Sequence, residues 1–540
     1  MPRSTVSSAP RLARLQRQCA LALALLLALP GGIGPVRAQP LPESRNALPS
    51  LGDSASEDFS VANERRLGER IMRDIRRDPD YLDDPLLLDY LQQLWSRLID
   101  AARARGDIPA ELDERFAWEM FLLRDRTVNA FALPGGYVGV HLGLVVLTTG
   151  PEELASVLAH ELSHVSQRHI ARSFGASKTS TLVGLAGLIL GVLAASRSPE
   201  AASALITGGQ AVAVQGQLNY SRVFEREADR VGFGVLTGAG YAPAGMASMF
   251  EKLQLASRLN DSQNFPYLRT HPLTSERIGE ARSRLGVAGA SALGVSAPGA
   301  RSLLYAMVRA RARVLMDPRE GSLQRVQEFD TERAQTTTAE PADKLGALYG
   351  SALASLLRRD FARADAALAA ARPLAEGEPA ALAVLDQLVL QGLLERGDAA
   401  RAGKLLQTLL AAPGAAASRP LLMAQAQHSL LAGAPADAAL RSSERLQTWV
   451  ALHPADALAW GHLAQLFERS GQRLRSVRAG AEARAALGDV LGAIERLRAV
   501  QRLARTATGS DVIEASVVEA RLRDLEAQRK QIVAEERGES

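Results

Sequence analysis

The 540 residues of this chain predict two to four domains. Hydrophobic residues at 47% and charged residues at 23% are ordinary globular usage, which excludes a mainly disordered chain and a polytopic membrane protein. The net charge of +4 gives no footprint for nucleic acid: Arg3, Arg11, Arg14, Arg17 and Arg37 lie in the first 38 residues, which hold no Asp or Glu, and without those five the remainder carries −1.

That leader has the parts of an export signal. An Arg-bearing start leads into eleven apolar residues, 19–29, then a break at Pro30, Gly31 and Gly32. Small residues at Val36 and Ala38 suit cleavage before Gln39. Eleven apolar residues fall short of the about 20 that cross a bilayer. Cys19, the single cysteine, precedes the apolar run, whereas a lipid anchor would need it afterwards. Residues 1–38 are therefore expected to be removed as a signal peptide, leaving an exported, cysteine-free chain that needs no disulfide.

Residues 39–57, rich in Pro, Ser and Asn, predict a flexible arm. Helical periodicity begins near Asp58 and continues over 81–102, where Leu87, Leu91, Leu94 and Leu98 form a stripe. Residues 116–123 and 129–146 carry aromatic and β-branched residues around Pro134-Gly135-Gly136, which predicts a small sheet. From Pro151 the helical period returns, with Leu154, Val157, Leu158, Leu162, Val165 and Ile170 on one side and two Glu residues at the positive end of the helix dipole. Residues 182–195 are an apolar run interrupted by Gly184, Gly187 and Gly191; a packed flap and a peripheral membrane contact both fit it. A further helix runs through 224–236 and ends at Gly238 and Gly240.

Residues 286–302 form an Ala/Gly/Ser linker, which divides a domain at 58–285 from a helical region at 303–540. In that second region a small residue opens a helix at Ala362, Ala402, Ala438 and Ser476, spaced 36 to 40 apart. Trp460, Leu463, Ala464 and Phe467 resemble the opening of a tetratricopeptide repeat, whose period is about 34 residues. Degenerate repeats with a concave protein-binding groove are expected; an irregular helical bundle is the alternative.

The chemistry concentrates in His160-Glu161-Leu162-Ser163-His164. Residues four apart share a helix face, so both imidazoles can bind one metal ion, with Glu161 placed to take a proton from water beside it. A third His ten residues after the first would mark a metzincin; position 170 is Ile and His169 misses by one, which leaves His169 as a surface residue or a support behind the ligands. The better candidate for the third ligand is Glu225; it and Asp229 are also four apart on a helix, so one can ligate while the other fixes an imidazole. Taken alone, that segment also reads as a solvated turn pairing with Arg222, Arg226 and Arg230.

These motifs, with Asn129-Ala130-Phe131-Ala132-Leu133-Pro134-Gly135-Gly136 before them, resemble the gluzincin metallopeptidases that include HtpX and the CAAX prenyl proteases. The exported core followed by repeats is similar to the β-barrel assembly-enhancing proteases of the Gram-negative periplasm. The resemblance implies an α+β fold: a mostly helical zincin-type peptidase domain with a small sheet, then an all-α repeat domain. It implies one zinc ion per chain held by His160, His164 and Glu225, with Glu161 as catalytic base and Asp229 as a proton-donating or supporting acid. Residues 137–144 would be an edge strand for substrate. His271, in Thr270-His271-Pro272-Leu273, would either close the fourth zinc position or cap a loop. The implied substrates are misfolded or stalled outer-membrane proteins, and the implied partner is the β-barrel assembly machinery, reached through the repeats. The contrasting expectation is a chaperone or assembly scaffold with a latent zinc site.

Overall fold

The computed structural model describes residues 59–175, 222–259, 266–286, 302–335, 340–435, 437–504 and 510–537. The leader, the arm, the apolar run 182–195 and nearly all of the linker lie outside the described residues. No helix among the described residues is long and apolar enough to cross a membrane.

Helix α1 (Val61–Ile75) starts at Ser60, whose hydroxyl accepts from the Asn63 amide, and buries Leu67, Ile71, Met72 and Ile75 at helical spacing. Strand β1 (Tyr81–Leu82) follows, a two-residue strand where the periodicity predicted helix. Helix α2 (Pro85–Arg105) begins only after it, because Asp84 caps the Leu87 amide and Pro85 occupies the first turn; Gly106, in the left-handed region at φ 75°, ends it. Short α3 (Ala110–Arg115) leads into β2 (Glu119–Leu123), β3 (Ala130–Leu133) and β4 (Tyr137–His141), and α4 (Leu142–Leu147) occupies the tail of the segment predicted as sheet.

The sheet order is β1-β2-β4-β3, with β2 and β4 parallel and the outer pairs antiparallel. Both faces are covered, so side chains partition with the period-2 pleat. Met120, Leu122, Ala130, Ala132, Val138 and Val140 face the main core with α2 and the later helices. Phe121, Leu123, Phe131, Leu133 and Tyr137 face the second core beneath α1. Gly139 allows this crossing: a Cβ there would lie 2.5 Å from the Phe131 ring and 2.7 Å from the Phe121 ring.

Helix α5 (Pro151–Ser166) is buried almost throughout and packs on β3 and α2. It stops at Gln167, where Arg168 takes a positive φ of 52°, and α6 (His169–Gly175) starts in a new direction. Helices α7 (Arg222–Gly238), α8 (Ala244–Leu259), α9 (Pro266–Thr270) and α10 (Ser275–Arg284) complete the region around α5.

Twelve further α-helices follow among the described residues: α11 (Leu303–Met316), α12 (Glu320–Gln335), α13 (Pro341–Leu357), α14 (Phe361–Ala375), α15 (Pro379–Arg396), α16 (Ala399–Leu410), α17 (Arg419–Leu430), α18 (Ala438–Leu452), α19 (Ala457–Arg469), α20 (Arg473–Ala486), α21 (Val490–Ala504) and α22 (Ser510–Arg537). Most pack on their chain neighbours, whereas α11 packs on α13 and on α4. Asp360, Asp398 and Asp456 cap helix starts by accepting from the amides of Arg363, Arg401 and Ala459. Helix α11 is shared between cores: Tyr305, Val308 and Ala312 enter the main core, whereas Met307, Ala310 and Val314 enter the next one.

Adjacent carboxylates tie the sheet side to these helices. Arg311 grips both oxygens of Asp84 at 2.7 Å. Arg419 grips both oxygens of Asp83 at 2.8 Å and also binds Asp456.

Candidate metal centre

Helix α5 carries His160, Glu161 and His164, and all three are buried. Pro151 sets the first turn and Glu152 and Glu153 follow it, so the acidic end meets the positive pole of the helix dipole. The His160 and His164 Nε2 atoms lie 2.9 Å apart. Helix α7 brings Glu225 opposite them, with Oε2 3.5 Å from His160 Nε2 and Oε1 3.5 Å from His164 Nε2. The loop after α9 brings His271, whose Nδ1 is 3.3 Å from His160 Nε2 and 2.9 Å from Glu225 Oε1.

These four residues place one ligand atom each within 4.8 Å of one another. Tetrahedral zinc with bonds of about 2.0–2.1 Å sets its ligand atoms roughly 3.3 Å apart, close to the separations here. The donor chemistry also fits, since imidazole and carboxylate are ordinary zinc ligands. Charge points the same way. Burial by itself lowers the basicity of His160, but the neighbouring Asp229 and Glu225 carboxylates reverse this and lift it to about 9. The site therefore favours a positive charge between the carboxylates and the imidazoles.

Three groups hold the donors in place. Asp229, one turn beyond Glu225, lies with Oδ1 2.9 Å from His160 Nδ1, which turns Nε2 inward. Arg277 on α10 donates to both oxygens of Asp229 at 2.7 and 2.8 Å, and its Nη1 lies 2.8 Å from Glu225 Oε2. The same nitrogen donates to the Pro272 carbonyl at 3.0 Å, tying the His271 loop to the site. Burial opposes the charge on Glu225, yet His271 and His160 hold its carboxyl well below the usual range. The Tyr267 ring stacks on His271 with centroids 4.7 Å apart.

Glu161 sits between this cluster and the sheet. The Ala132 amide donates to its Oε2 at 3.0 Å. Its Oε1 has no hydrogen-bond partner among the described residues and lies 3.6 Å from His271 Nε2. Burial raises the Glu161 carboxyl above its ordinary range.

The expected edge strand is corrected by the sheet order. Residues 137–141 form β4, which lies between β2 and β3, and 142–147 are helical, so β3 is the edge on that side of the sheet. The Asn129 carbonyl accepts from the His141 amide, so in the antiparallel ladder Asn129, Phe131 and Leu133 pair with β4. The main-chain groups of Ala130 and Ala132 therefore point away from β4, and the Ala132 amide reaches Glu161.

The structure thus gathers His160, His164, Glu225 and His271 and sets Glu161 and Asp229 beside them. Of the two expectations for His169, the surface one is wrong and the other agrees with its position: it is buried behind the ligands, with Nδ1 2.8 Å from His164 Nδ1. Arg277 escaped the sequence reading because nothing local separates it from Arg282 and Arg284 on the same helix.

Residues 86–285 match the model of Peptidase family M48. A β-barrel assembly-enhancing protease of Yersinia pestis is 30% identical over 465 residues, 85% of this chain and 89% of its own length. The β-barrel assembly-enhancing protease of Escherichia coli is 35% identical over 242 residues, 45% of this chain and 48% of its own length. A Vibrio cholerae relative is 38% identical over 240 residues, 44% of this chain and 47% of its own length. The chain therefore spans about half the length of the Vibrio and Escherichia relatives, and most of the Yersinia one. With a buried His/His/Glu donor set inside the matched segment, the chain belongs to peptidase family M48, among the β-barrel assembly-enhancing proteases.

Proposed function

We propose that this chain is a zinc-dependent endopeptidase of the periplasm that degrades misassembled proteins and assists assembly of outer-membrane β-barrel proteins. The observation that carries this reading is the convergence of His160, His164 and Glu225 beside the buried Glu161 carboxylate. His160, His164 and Glu225 are the zinc ligands. Zinc held there would supply Lewis acidity for the scissile carbonyl and make the attacking water more acidic. Glu161 accepts the proton of that water at Oε1 and returns it to the leaving amine. Its other oxygen stays on the Ala132 amide, which fixes the carboxylate against the edge strand. An extended substrate pairs with the outward main-chain groups of Ala130 and with the Ala132 carbonyl of β3, while the Ala132 amide stays on the base.

Asp229 orients His160 and is itself held by Arg277. His271, whose Nδ1 lies among the other donor atoms, would take the fourth position and keep the site closed at rest. Residues 303–540 form a tetratricopeptide-like repeat domain joined to the peptidase domain 58–285, and its helix pairs select outer-membrane clients and the β-barrel assembly machinery. The export signal at residues 1–38 supports the periplasmic placement. The scaffold reading draws on one observation, the presence of His271 inside the donor cluster, which would keep the zinc latent.

Glu161→Gln separates the two. On the peptidase reading the variant keeps about one zinc per chain and loses hydrolysis of an unfolded model substrate by about 10²–10⁴-fold. His160→Ala should lose the metal as well. A Glu161→Gln variant that cleaves at the wild-type rate overturns this mechanism. One that lacks cleavage but fully restores outer-membrane assembly in cells favours the scaffold.

A further inference from the structure

We infer that His169, through Glu227, is a positioning residue for the zinc ligand His164: it accepts a hydrogen bond from His164 Nδ1 and thereby fixes Nε2 as the metal-facing atom. This inference rests on the zinc-site reading above and extends it to residues outside the donor cluster.

On one continuous helix, residues five apart are separated by about 140° around the axis, so His164 and His169 would not meet. The chain solves this by breaking. Helix α5 ends at Ser166, and Arg168 adopts φ 52°, a left-handed conformation that L side chains rarely take. Such a residue persists where its surroundings hold it. Here Arg168 Nε donates to Glu64 at 3.0 Å and Nη2 to the Phe59 carbonyl at 2.6 Å, which pins the turn to α1. The turn starts α6 in a new direction and brings the His169 ring against His164, with centroids 4.8 Å apart.

The contact is Nδ1 to Nδ1 at 2.8 Å, which admits one proton between the rings. With His164 binding metal through Nε2, its Nδ1 carries the hydrogen and must donate. His169 Nδ1 must then be the acceptor, which puts the hydrogen of a neutral His169 on Nε2. That nitrogen lies 3.1 Å from Glu227 Oε2, an acceptor. Glu227 is anchored in turn by Arg172 Nη1 at 2.9 Å. Phe224 stacks on the His169 ring at 4.6 Å and 9° and fixes its plane. The order Glu227–His169–His164 therefore has a single consistent proton arrangement. Asp229 Oδ1 lies 2.9 Å from His160 Nδ1 with no residue between them; His164 is served by a carboxylate one imidazole further away.

The test measures zinc affinity of the full-length chain by competition with a chromophoric chelator. Circular dichroism and the thermal midpoint in excess chelator report the fold without metal. His169→Phe keeps a ring on Phe224 but removes the acceptor, and zinc affinity is expected to fall by about 10–100-fold. His169→Asn presents Oδ1 near the Nδ1 position and is expected to recover most of that loss. Glu227→Leu changes only a partly exposed side chain, so it decides the matter if His169→Phe does not fold; a loss of about 3–10-fold is expected. A folded His169→Phe chain within about twofold of wild type overturns the inference, as does equal weakening by Phe and Asn, or an unchanged Glu227→Leu chain. Wild-type protein that binds no zinc overturns the zinc-site reading and this inference together, whereas zinc-loaded wild type with unaffected variants overturns the inference alone.

Discussion

The pair Asp84–Arg311 joins the start of α2 to α11, and its removal has a calculable consequence. The two side chains are only 9% and 7% exposed, so water does little to screen them. Arg311 makes two bonds of 2.7 Å to the carboxylate and a third, of 3.2 Å, to the Tyr349 hydroxyl. Asp84 also caps α2 by accepting from the Leu87 amide at 2.9 Å. Arg311→Met keeps an apolar stem but leaves a buried carboxylate uncompensated, at a cost of about 3–5 kcal/mol. Asp84→Asn keeps the cap and strands the guanidinium, with a similar loss. In the double variant neither charge is buried, and the net loss should fall to about 1–2 kcal/mol. The combination is therefore expected to be more stable than either single change, a reversal that additive effects cannot produce. Urea unfolding followed by tryptophan fluorescence measures this, because Trp95 and Trp118 report one side of the joint and Trp449 and Trp460 the other. The reasoning is refuted if Arg311→Met costs less than about 1 kcal/mol, or if the double variant is the least stable of the three.

His271→Ala should retain zinc through the three remaining ligands and raise basal cleavage of an unfolded substrate several-fold; unchanged or lower activity in a folded, zinc-loaded variant would leave His271 a structural loop residue. Glu64 supplies a pH test. Burial lifts its carboxyl to about 7 despite Arg168, so between about pH 4.5 and 7 the folded chain holds a proton that the unfolded chain has released. Stability should then fall as pH rises through that window, by up to about 3 kcal/mol, and Glu64→Gln should gain on wild type over the same range. A stability difference between the two that stays constant from pH 4 to 8 would show that Glu64 is not held protonated.

What the sequence made legible is what local geometry determines. Two histidines four apart on a helix share a face wherever that helix lies, and Glu225 and Asp229 obey the same rule; the structure brings the two pairs together at His160 and His164. The helical bulk with a small sheet was legible for the same reason, since both periods are short. The start of α2 had a readable signal in Asp84-Pro85, but the leucines on either side extended the apparent stripe to Tyr81 and concealed β1.

The remainder depended on segments distant in the chain. Strand order is one case: β2, β3 and β4 are buried on both faces, so no alternation of polar and apolar residues distinguishes an edge from a centre. The parallel pairing of β2 with β4 decides it, and that pairing places Ala132 rather than 137–144 beside Glu161. His169 is the sharper case. Counting along an unbroken helix to Ile170 excluded it as a ligand but could not choose between the surface and a place behind the ligands. The break at Arg168 is held by Glu64 and Phe59, about a hundred residues earlier, and no local propensity at Gln167 or Arg168 announces it. A residue that spacing assigns to the wrong face can therefore reach a ligand when a distant contact pays for one left-handed turn, and the side chains that make such a contact need testing alongside the ligands themselves.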